Sequence, residues 1–363
     1  MSHEEDWEQH FAPTRREFRF QRKMASKNDR SKYKFTDRLK MQPKEKNVSS
    51  HMLLGRVMSV RCQDIEVLHQ KTRYICTLRG MIKKGKDLRK NLVIVGDFVH
   101  FEPSKDNCGV ICEILPRQSV LCRQDHLRRL RKQLVAANVD QVIITVSLNA
   151  PLFKPSMIDR YLVAAEKGGM NPIVVINKMD LRHLYPDEHV VCQECVSLYR
   201  KIQIPAFAVS ALTGEGLDDL KAAMKDKTSV FSGQSGTGKT LLVNSLTGLS
   251  LKTADVRAAG KGAHTTTFAQ LLELPFGGWC VDTPGIRSFG IWELDREDII
   301  AGFPEIFAAA RNCGFADCSH TGEDKCALPD AIEQGVVSPT RFNSYLSLLS
   351  SLQESAANEG CSW

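Results

Sequence analysis

Between residue 51 and about residue 118, apolar side chains come in short, β-branched, partly alternating runs. LLGRVMSV, IEVLHQ, RYICTLRG, NLVIVGDFVHFE and GVICEILP are separated by Gly, Asp, Asn and Pro. Five short strands in so little chain predict a small antiparallel β-barrel of the OB type, a pattern shared with other small barrels. After Arg123 a basic amphipathic stretch, HLRRLRKQLVAANVD, leads into a different rhythm. Apolar, β-branched runs, some ending in polar residues (QVIITVSL, PIVVINKMDL, AFAVSALTG, TSVFSG, GWCV), are interleaved with helix-period segments such as PSMIDRYLVAAEKGG and TLLVNSLTG. Buried strands alternating with helices predict a parallel sheet covered on both faces. The last part, from about residue 291, reads as helices around a Cys/His cluster. The expected organisation is therefore a basic arm over 1–49, a barrel over 50–118, an α/β domain over 119–290 and a helical metal-binding domain with its tail over 291–363.

Composition narrows the class. Of 363 residues, 42% are hydrophobic and 25% charged, as in soluble globular proteins, which excludes a wholly disordered chain. No run approaches the roughly 18–20 apolar residues of a membrane-crossing helix, so no membrane span is expected. MSHEEDWEQH has no apolar core of a secretory signal, so the expected compartment is the cytoplasm. The twelve cysteines are then expected to be thiols or metal ligands rather than a disulfide framework. The net charge of +7 is unevenly spread. Thirteen Lys/Arg against four Asp/Glu between Thr14 and Lys46 give that stretch +9 on its own. With few apolar residues it cannot offset its ordering entropy, and it is expected to be flexible. Phe11, Phe18, Phe20, Tyr33 and Phe35 lie among the cations. Rings interleaved with cations suit phosphate contact and base stacking, so RNA is favoured over a tail that only aids solubility.

The candidate chemistry lies in the α/β region. Gly233-Gln234-Ser235-Gly236-Thr237-Gly238-Lys239-Thr240, followed by Leu241, is a phosphate-binding loop between an apolar strand and a helix. Its glycines let backbone N–H groups turn towards phosphates, and the helix N-terminus adds the positive end of its dipole. Lys239 is expected to reach the β- and γ-phosphates, and the Thr240 hydroxyl to ligate Mg²⁺. Asn177-Lys178-Met179-Asp180 ends another strand. The Asp180 carboxylate can accept from guanine N1–H and its exocyclic amine, a donor pair that adenine lacks. Asn177 can join this loop to the phosphate loop, and Lys178 can lie along the base. Ser210-Ala211-Leu212 ends a third strand, where the Ala211 N–H can meet guanine O6. Asp282-Thr283-Pro284-Gly285 follows GWCV; Asp282 is expected to hold Mg²⁺ through water and the Gly285 N–H to sense the γ-phosphate.

The order of these parts matters. Ras-like GTPases run phosphate loop, switch Thr, DxxG, NKxD, SAx; here NKMD and SAL precede the phosphate loop. This is a circular permutation, acceptable because domain termini usually lie close together. Its consequence is that the segment after DTPG leads directly into the C-terminal domain, so a shift there on loss of the γ-phosphate can pull on that domain. Ile286 stands where Ras-like enzymes often place a water-orienting Gln, so intrinsic hydrolysis is expected to be slow and to need a supplied group. His264, in the stretch GAHTTT, is the internal candidate for that role, with a solvated loop histidine as its alternative; Thr266 is the candidate switch ligand for Mg²⁺.

Cys313, Cys318, His320 and Cys326 place three sulfurs and an imidazole within fourteen positions, a complete Cys₃His shell expected to hold one structural zinc. Cys192 and Cys195 lie in an apparent helix with no second pair nearby and read as ordinary thiols. Cys62, Cys76, Cys108, Cys112, Cys122 and Cys280 read as core residues.

VGDFV at 95–99, AANVDQV at 136–142, NKMD, VSALTGEGL at 209–217, GQSGTGKT, HTTT at 264–267, DTPGIRSFG at 282–290 and the Cys₃His spacing resemble ribosome small-subunit-dependent GTPase A, the circularly permuted RsgA/YjeQ family. The resemblance spans roughly 51–345, with the basic arm and the tail outside it. It implies an OB barrel, a permuted G domain and a zinc-binding domain. It also implies GTP hydrolysis to GDP and phosphate, stimulated by the small (30S) ribosomal subunit during late maturation, with contact to 16S rRNA. Thr240 stands for the family's usual Ser, and Ala263 stands where a basic residue is frequent. A monomer is expected. The competing readings are an RNA-binding module with little turnover and a GTPase acting on another substrate, such as a tRNA or a metal-delivery client.

Overall fold

The structure is a computed structural model that describes residues 52–61, 64–79, 92–124, 132–249, 269–282, 294–315 and 318–359. The expected arm over 1–49 and the switch candidates His264, Thr266, Gly285 and Ile286 lie outside them. Among the described residues, no helix is long and apolar enough to cross a membrane.

Five strands close into a barrel: β1 (Leu53–Arg61), β2 (Asp64–His69), β3 (Thr72–Leu78), β4 (Phe98–Pro103) and β5 (Cys108–Ile114). The order is β1-β2-β3-β5-β4, and β4 pairs back onto β1, so the sheet has closed on itself. The β3–β5 pair is parallel and the other four are antiparallel. Val57, Ile65, Val67, Cys76, Val99, Phe101 and Ile111 fill the interior.

NLVIVGDFVHFE does not form one strand. It turns at Gly96 and Asp97, and only Phe98–Pro103 joins the barrel. Gly96 has φ +89°, and a Cβ there would sit 2.1 Å from the Ala137 carbonyl oxygen. The buried Asp97 accepts from the Ile94 N–H and takes a two-point ion pair from Arg117 (2.6 and 2.8 Å). These interactions stabilise a turn where the apolar pattern suggests continuity.

The basic stretch after Arg123 also contributes a strand. β6 (Val120–Gln124) and β7 (Lys132–Ala137) form a hairpin between the barrel and the α/β region. There β8 (Gln141–Ser147), α1 (Pro155–Lys167), β9 (Asn171–Asn177), α2 (Pro186–Lys201), β10 (Ala206–Ala208), α3 (Leu217–Met224), β11 (Thr228–Ser232) and α4 (Lys239–Thr247) alternate. Then come β12 (Gln270–Glu273) and β13 (Trp279–Asp282). The strand order is β10-β9-β8-β11-β13-β12, parallel except for β12. Every β8 residue is buried, as a strand covered on both faces requires.

The barrel and this sheet are continuous, because β1 pairs with β12 at Ser59 and Gln270. Arg56 of β1 reinforces the junction. It donates to the Thr228 hydroxyl (2.8 Å) and the Asn138 carbonyl, with its guanidinium 5.2 Å from the Phe98 ring and 5.9 Å from the Trp279 ring.

The C-terminal helices α5 (Arg296–Ala301), α6 (Pro304–Ala310), α7 (Leu328–Glu333) and α8 (Pro339–Glu359) pack on α1 around Val163, Leu294, Ile299, Phe303, Ile306, Leu328 and Tyr345. The centre of this contact is charged. Arg341 is fully buried, pairing with Asp159 of α1 (2.7 Å) and Glu305 of α6 (2.6 Å) and lying 4.3 Å over the Phe303 ring. Burial opposes its charge, but Glu305 and Asp159 outweigh that and hold its pKa above the ordinary arginine value. Tyr199 donates to the same Asp159 oxygen at 2.8 Å. Stranding one partner of such a buried pair costs about 3–5 kcal/mol, so this network fixes how the helical part seats on α1.

Candidate functional site

The parallel strands carry the candidate loops to one edge of the sheet, since all their C-terminal ends face the same way. After β11, the loop Gly233–Gly238 turns the chain into α4, whose N-terminus follows directly on the turn. Lys239 opens that helix, and its Nζ donates to the carbonyls of Gly233 (2.8 Å) and Gln234. The ammonium therefore lies within the loop. Thr237 is buried and donates to the Gln234 carbonyl, Thr240 sits in the first helical turn, and Leu241 is exposed. Ser235 is exposed and Gly236 partly buried.

The NKMD loop meets this turn directly. Asn177 is buried at the end of β9 and donates through Nδ2 to the Thr237 carbonyl at 2.9 Å. Its Oδ1 accepts from the Ala211 N–H at 3.0 Å. One side chain thus joins all three loops, and the Ala211 N–H expected at guanine O6 is here engaged by Asn177. The approach is close enough to require glycine at 238: its φ is +88°, and an added Cβ would lie 2.4 Å from Asn177 Nδ2. Lys178 is in a left-handed conformation (φ 68°) and donates to the Ala150 carbonyl. Burial pulls its pKa down, opposed by nearby Asp180. Met179 is buried beneath the loop. Asp180 Oδ1 accepts from the Ser210 hydroxyl at 2.6 Å, which fixes the carboxylate and leaves its second oxygen for a ligand. Ser245 of α4 donates to the Ala211 carbonyl, so the third loop is also held to the helix behind the phosphate turn.

Asp282 closes β13, next to β11 in the sheet. Burial raises its pKa, and a hydrogen bond from Gln270 Nε2 to Oδ2 (3.3 Å) opposes that shift. With Thr240 it offers the hard oxygen donors that magnesium takes. Gln270 was not singled out by the sequence, because the four-residue strand QLLE that it opens is too short to show a pattern.

Cys313, Cys318, His320 and Cys326 come together, all four ligand atoms lying within 4.8 Å of one another. His320 Nδ1 is 3.7 Å from the Cys313 sulfur and 3.6 Å from that of Cys326. Zinc bonded to sulfur at about 2.3 Å and nitrogen at about 2.0–2.1 Å in a tetrahedron gives an N···S edge of about 3.6 Å, so the cluster suits one such ion. Burial, aided by Arg296 and opposed by Glu323, holds the imidazole below the ordinary histidine range and favours the neutral, ligating ring. The ligand turn is stapled by Glu323, which accepts from the backbone N–H groups of Ser319 and Thr321 at 2.7 Å.

Among the described residues the other cysteines form no disulfide. Cys192 and Cys195 are buried on α2, and burial lifts each thiol to about 12, so both are unreactive. Cys76 and Cys280 are core residues as expected, but Cys108 is exposed where β5 begins. Cys62 lies outside the described residues.

Comparison with known proteins agrees with this geometry. Residues 114–292 match the RsgA GTPase family. The small ribosomal subunit biogenesis GTPase RsgA of Chlorobaculum parvum is 40% identical over 274 residues, covering 73% of this chain and 86% of the relative. The protein of the same name from Ectopseudomonas mendocina is 43% identical over 277 residues, covering 74% and 78%. Among solved structures, YjeQ from Thermotoga maritima superposes with a TM-score of 0.67 at 32% identity, covering 83% of this chain and 99% of that one. YloQ, described as a circularly permuted GTPase, gives 0.67 at 27% identity, covering 85% and 97%. With its closed barrel, its NKMD and SAL strand ends ahead of its GQSGTGKT loop and its Cys₃His cluster, the chain belongs to the RsgA GTPase family of circularly permuted GTP hydrolases.

Proposed function

We propose that this GTPase of small-subunit biogenesis works on the 30S subunit itself, in the cytoplasm and as a monomer, and contacts 16S rRNA during late maturation. The subunit stimulates its conversion of GTP to GDP and phosphate. The observation that carries the nucleotide reading is Asn177, whose amide joins the NKMD strand end to the phosphate turn through Thr237 and to the SAL strand end through Ala211. In this reading Gly233–Gly238 wrap the phosphates with backbone N–H groups, and Lys239 supplies the charge facing the β- and γ-phosphates. Asp180, held by Ser210, selects guanine, with Lys178 along one face of the base and Leu212 exposed past Ala211. Thr240, Thr266 and Asp282 hold magnesium, which neutralises charge on the phosphates when bound. The Gly285 N–H reads the γ-phosphate, and His264 or a group supplied by the ribosome positions the water. The zinc is structural, because all four positions of its shell are filled by side chains.

Steady-state GTP turnover with and without small ribosomal subunits tests this. Turnover alone is expected to be slow and to rise at least about 10-fold with subunits, since a group supplied in trans is worth up to about 10³–10⁵. Absent turnover under both conditions would favour instead the RNA-binding module with little turnover. Asp180→Asn tests the base assignment. Its amide presents a donor where the guanine edge also presents donors, so GTP affinity should fall by about 10²-fold or more while xanthosine triphosphate gains. Unchanged preference in competition binding would remove Asp180 from that role.

A further inference from the structure

The barrel sheet and the G-domain sheet meet at one cross-strand pair, Ser59 of β1 opposite Gln270 of β12. On its other side Gln270 is directly opposite Asp282 of β13. The same residue therefore has the barrel on one flank and the candidate magnesium carboxylate on the other. Its side chain chooses the second, donating Nε2–H to Asp282 Oδ2. The backbone around it is shaped for this. The register of β1 shifts between Val57 and Ser59, immediately beside the contact. Such irregularities re-aim a strand where a site needs it. β13 is held at both ends from the barrel side, by Arg56 against the Trp279 ring and by Gln270 at Asp282.

We propose that Gln270 is a positioning residue for Asp282: its amide holds Oδ2 so that Oδ1 is presented to the magnesium shell, from a backbone position set by the barrel strand β1. The chemistry follows from the donor. An amide N–H engages one carboxylate oxygen without neutralising it, so the charge that attracts the cation is kept while rotation of the group is restrained. Partners of this kind typically change metal affinity by about 10–100-fold when removed. The arrangement also gives the barrel a route to the metal side of the nucleotide site. A displacement of β1 moves the Gln270 backbone and, through its amide, the Asp282 carboxylate.

This inference rests on Asp282 being the magnesium carboxylate, and the experiment separates the two. Fluorescent GDP binding is titrated against the full-length zinc-loaded protein in chelator-free, magnesium-free buffer and across a magnesium series, for the wild type, Gln270→Met and Asp282→Asn. Methionine keeps the length and bulk of glutamine but has no donor. The expected result is that Gln270→Met binds GDP like the wild type without magnesium and needs about 10-fold more magnesium for the same tightening. Gln270→Glu, which keeps the shape but sets a second carboxylate against the first, should not restore it. A Gln270→Met protein with the wild-type magnesium profile, beside an Asp282→Asn protein that has lost it, overturns the positioning role alone. An unaltered profile in Asp282→Asn overturns the magnesium assignment and the inference with it. Equal weakening of Gln270→Met with and without magnesium shows a purely structural residue and also overturns the proposal.

Discussion

Lys239→Ala will reduce GTP turnover by at least about 10³-fold, with or without small subunits, as expected when a charge that meets the transferred phosphoryl group is removed. The ammonium is held inside the phosphate turn by the carbonyls of Gly233 and Gln234, at the N-terminus of α4. Those two acceptors place a mobile side chain where the β- and γ-phosphates would lie. Alanine removes the charge and leaves the turn itself, which is built from backbone and from the Asn177 bond to Thr237. GDP affinity should therefore fall less than turnover. Lys239→Arg should not rescue the rate, because a planar guanidinium is not a substitute for a compact ammonium in a carbonyl-lined turn. Phosphate release under saturating GTP, with a thermal melt to confirm folding, is the measurement. Turnover within a few-fold of the wild type would dismantle the phosphate-loop assignment.

The features that could be read from sequence are those whose physics is local. A phosphate turn needs glycines at fixed offsets, a guanine loop needs its Asp three residues after its Asn, and a closed metal shell needs four ligands within reach. Each leaves a mark within fourteen residues, and the structure brings the residues of each together. The parallel sheet was legible for a similar reason, because a strand buried on both faces, such as Gln141–Ser147, carries a continuous β-branched apolar centre, Val142-Ile143-Ile144.

What escaped depends on chain far away. Arg341 and Asp159 are 182 positions apart, and neither has a neighbour in sequence that announces the pair. Arg56 is an ordinary alternating strand residue until Thr228 and Trp279 meet it. The run NLVIVGDFVHFE looks continuous because the turn at Gly96 and Asp97 is fixed by Ala137 and Arg117, which lie outside it. Gln270 belongs to the same class: a four-residue strand is too short to show a period, and its importance comes from the strands on either side.

Cys318→Ser will release the zinc and unfold the C-terminal helices while leaving the parallel sheet folded. The helices α5, α6 and α7 are six, seven and six residues long, too short to be stable by themselves. Their apolar cluster is small, and the segment joining α6 to α7 carries all four ligands. In such a unit the metal contributes folding free energy directly, about 10–16 kcal/mol in isolated zinc-finger peptides. That matches or exceeds the 5–15 kcal/mol by which a whole domain is usually stable. The loss reaches beyond the ligands. The His320 ring lies 6.4 Å from that of Tyr345, which packs edge-on against Phe303 at 5.5 Å, and Phe303 supports the Arg341 guanidinium that binds Asp159 of α1. Without the metal this stack loses its outer support, and Asp159 is expected to lose its buried counter-charge. Metal content should drop from one zinc per chain to near none. Thermal unfolding should split into an early transition for the helical part and a later one that GDP still shifts upward. Full zinc content in the variant, or one unsplit transition at the wild-type temperature, would show that the cluster is not what holds this part of the chain together.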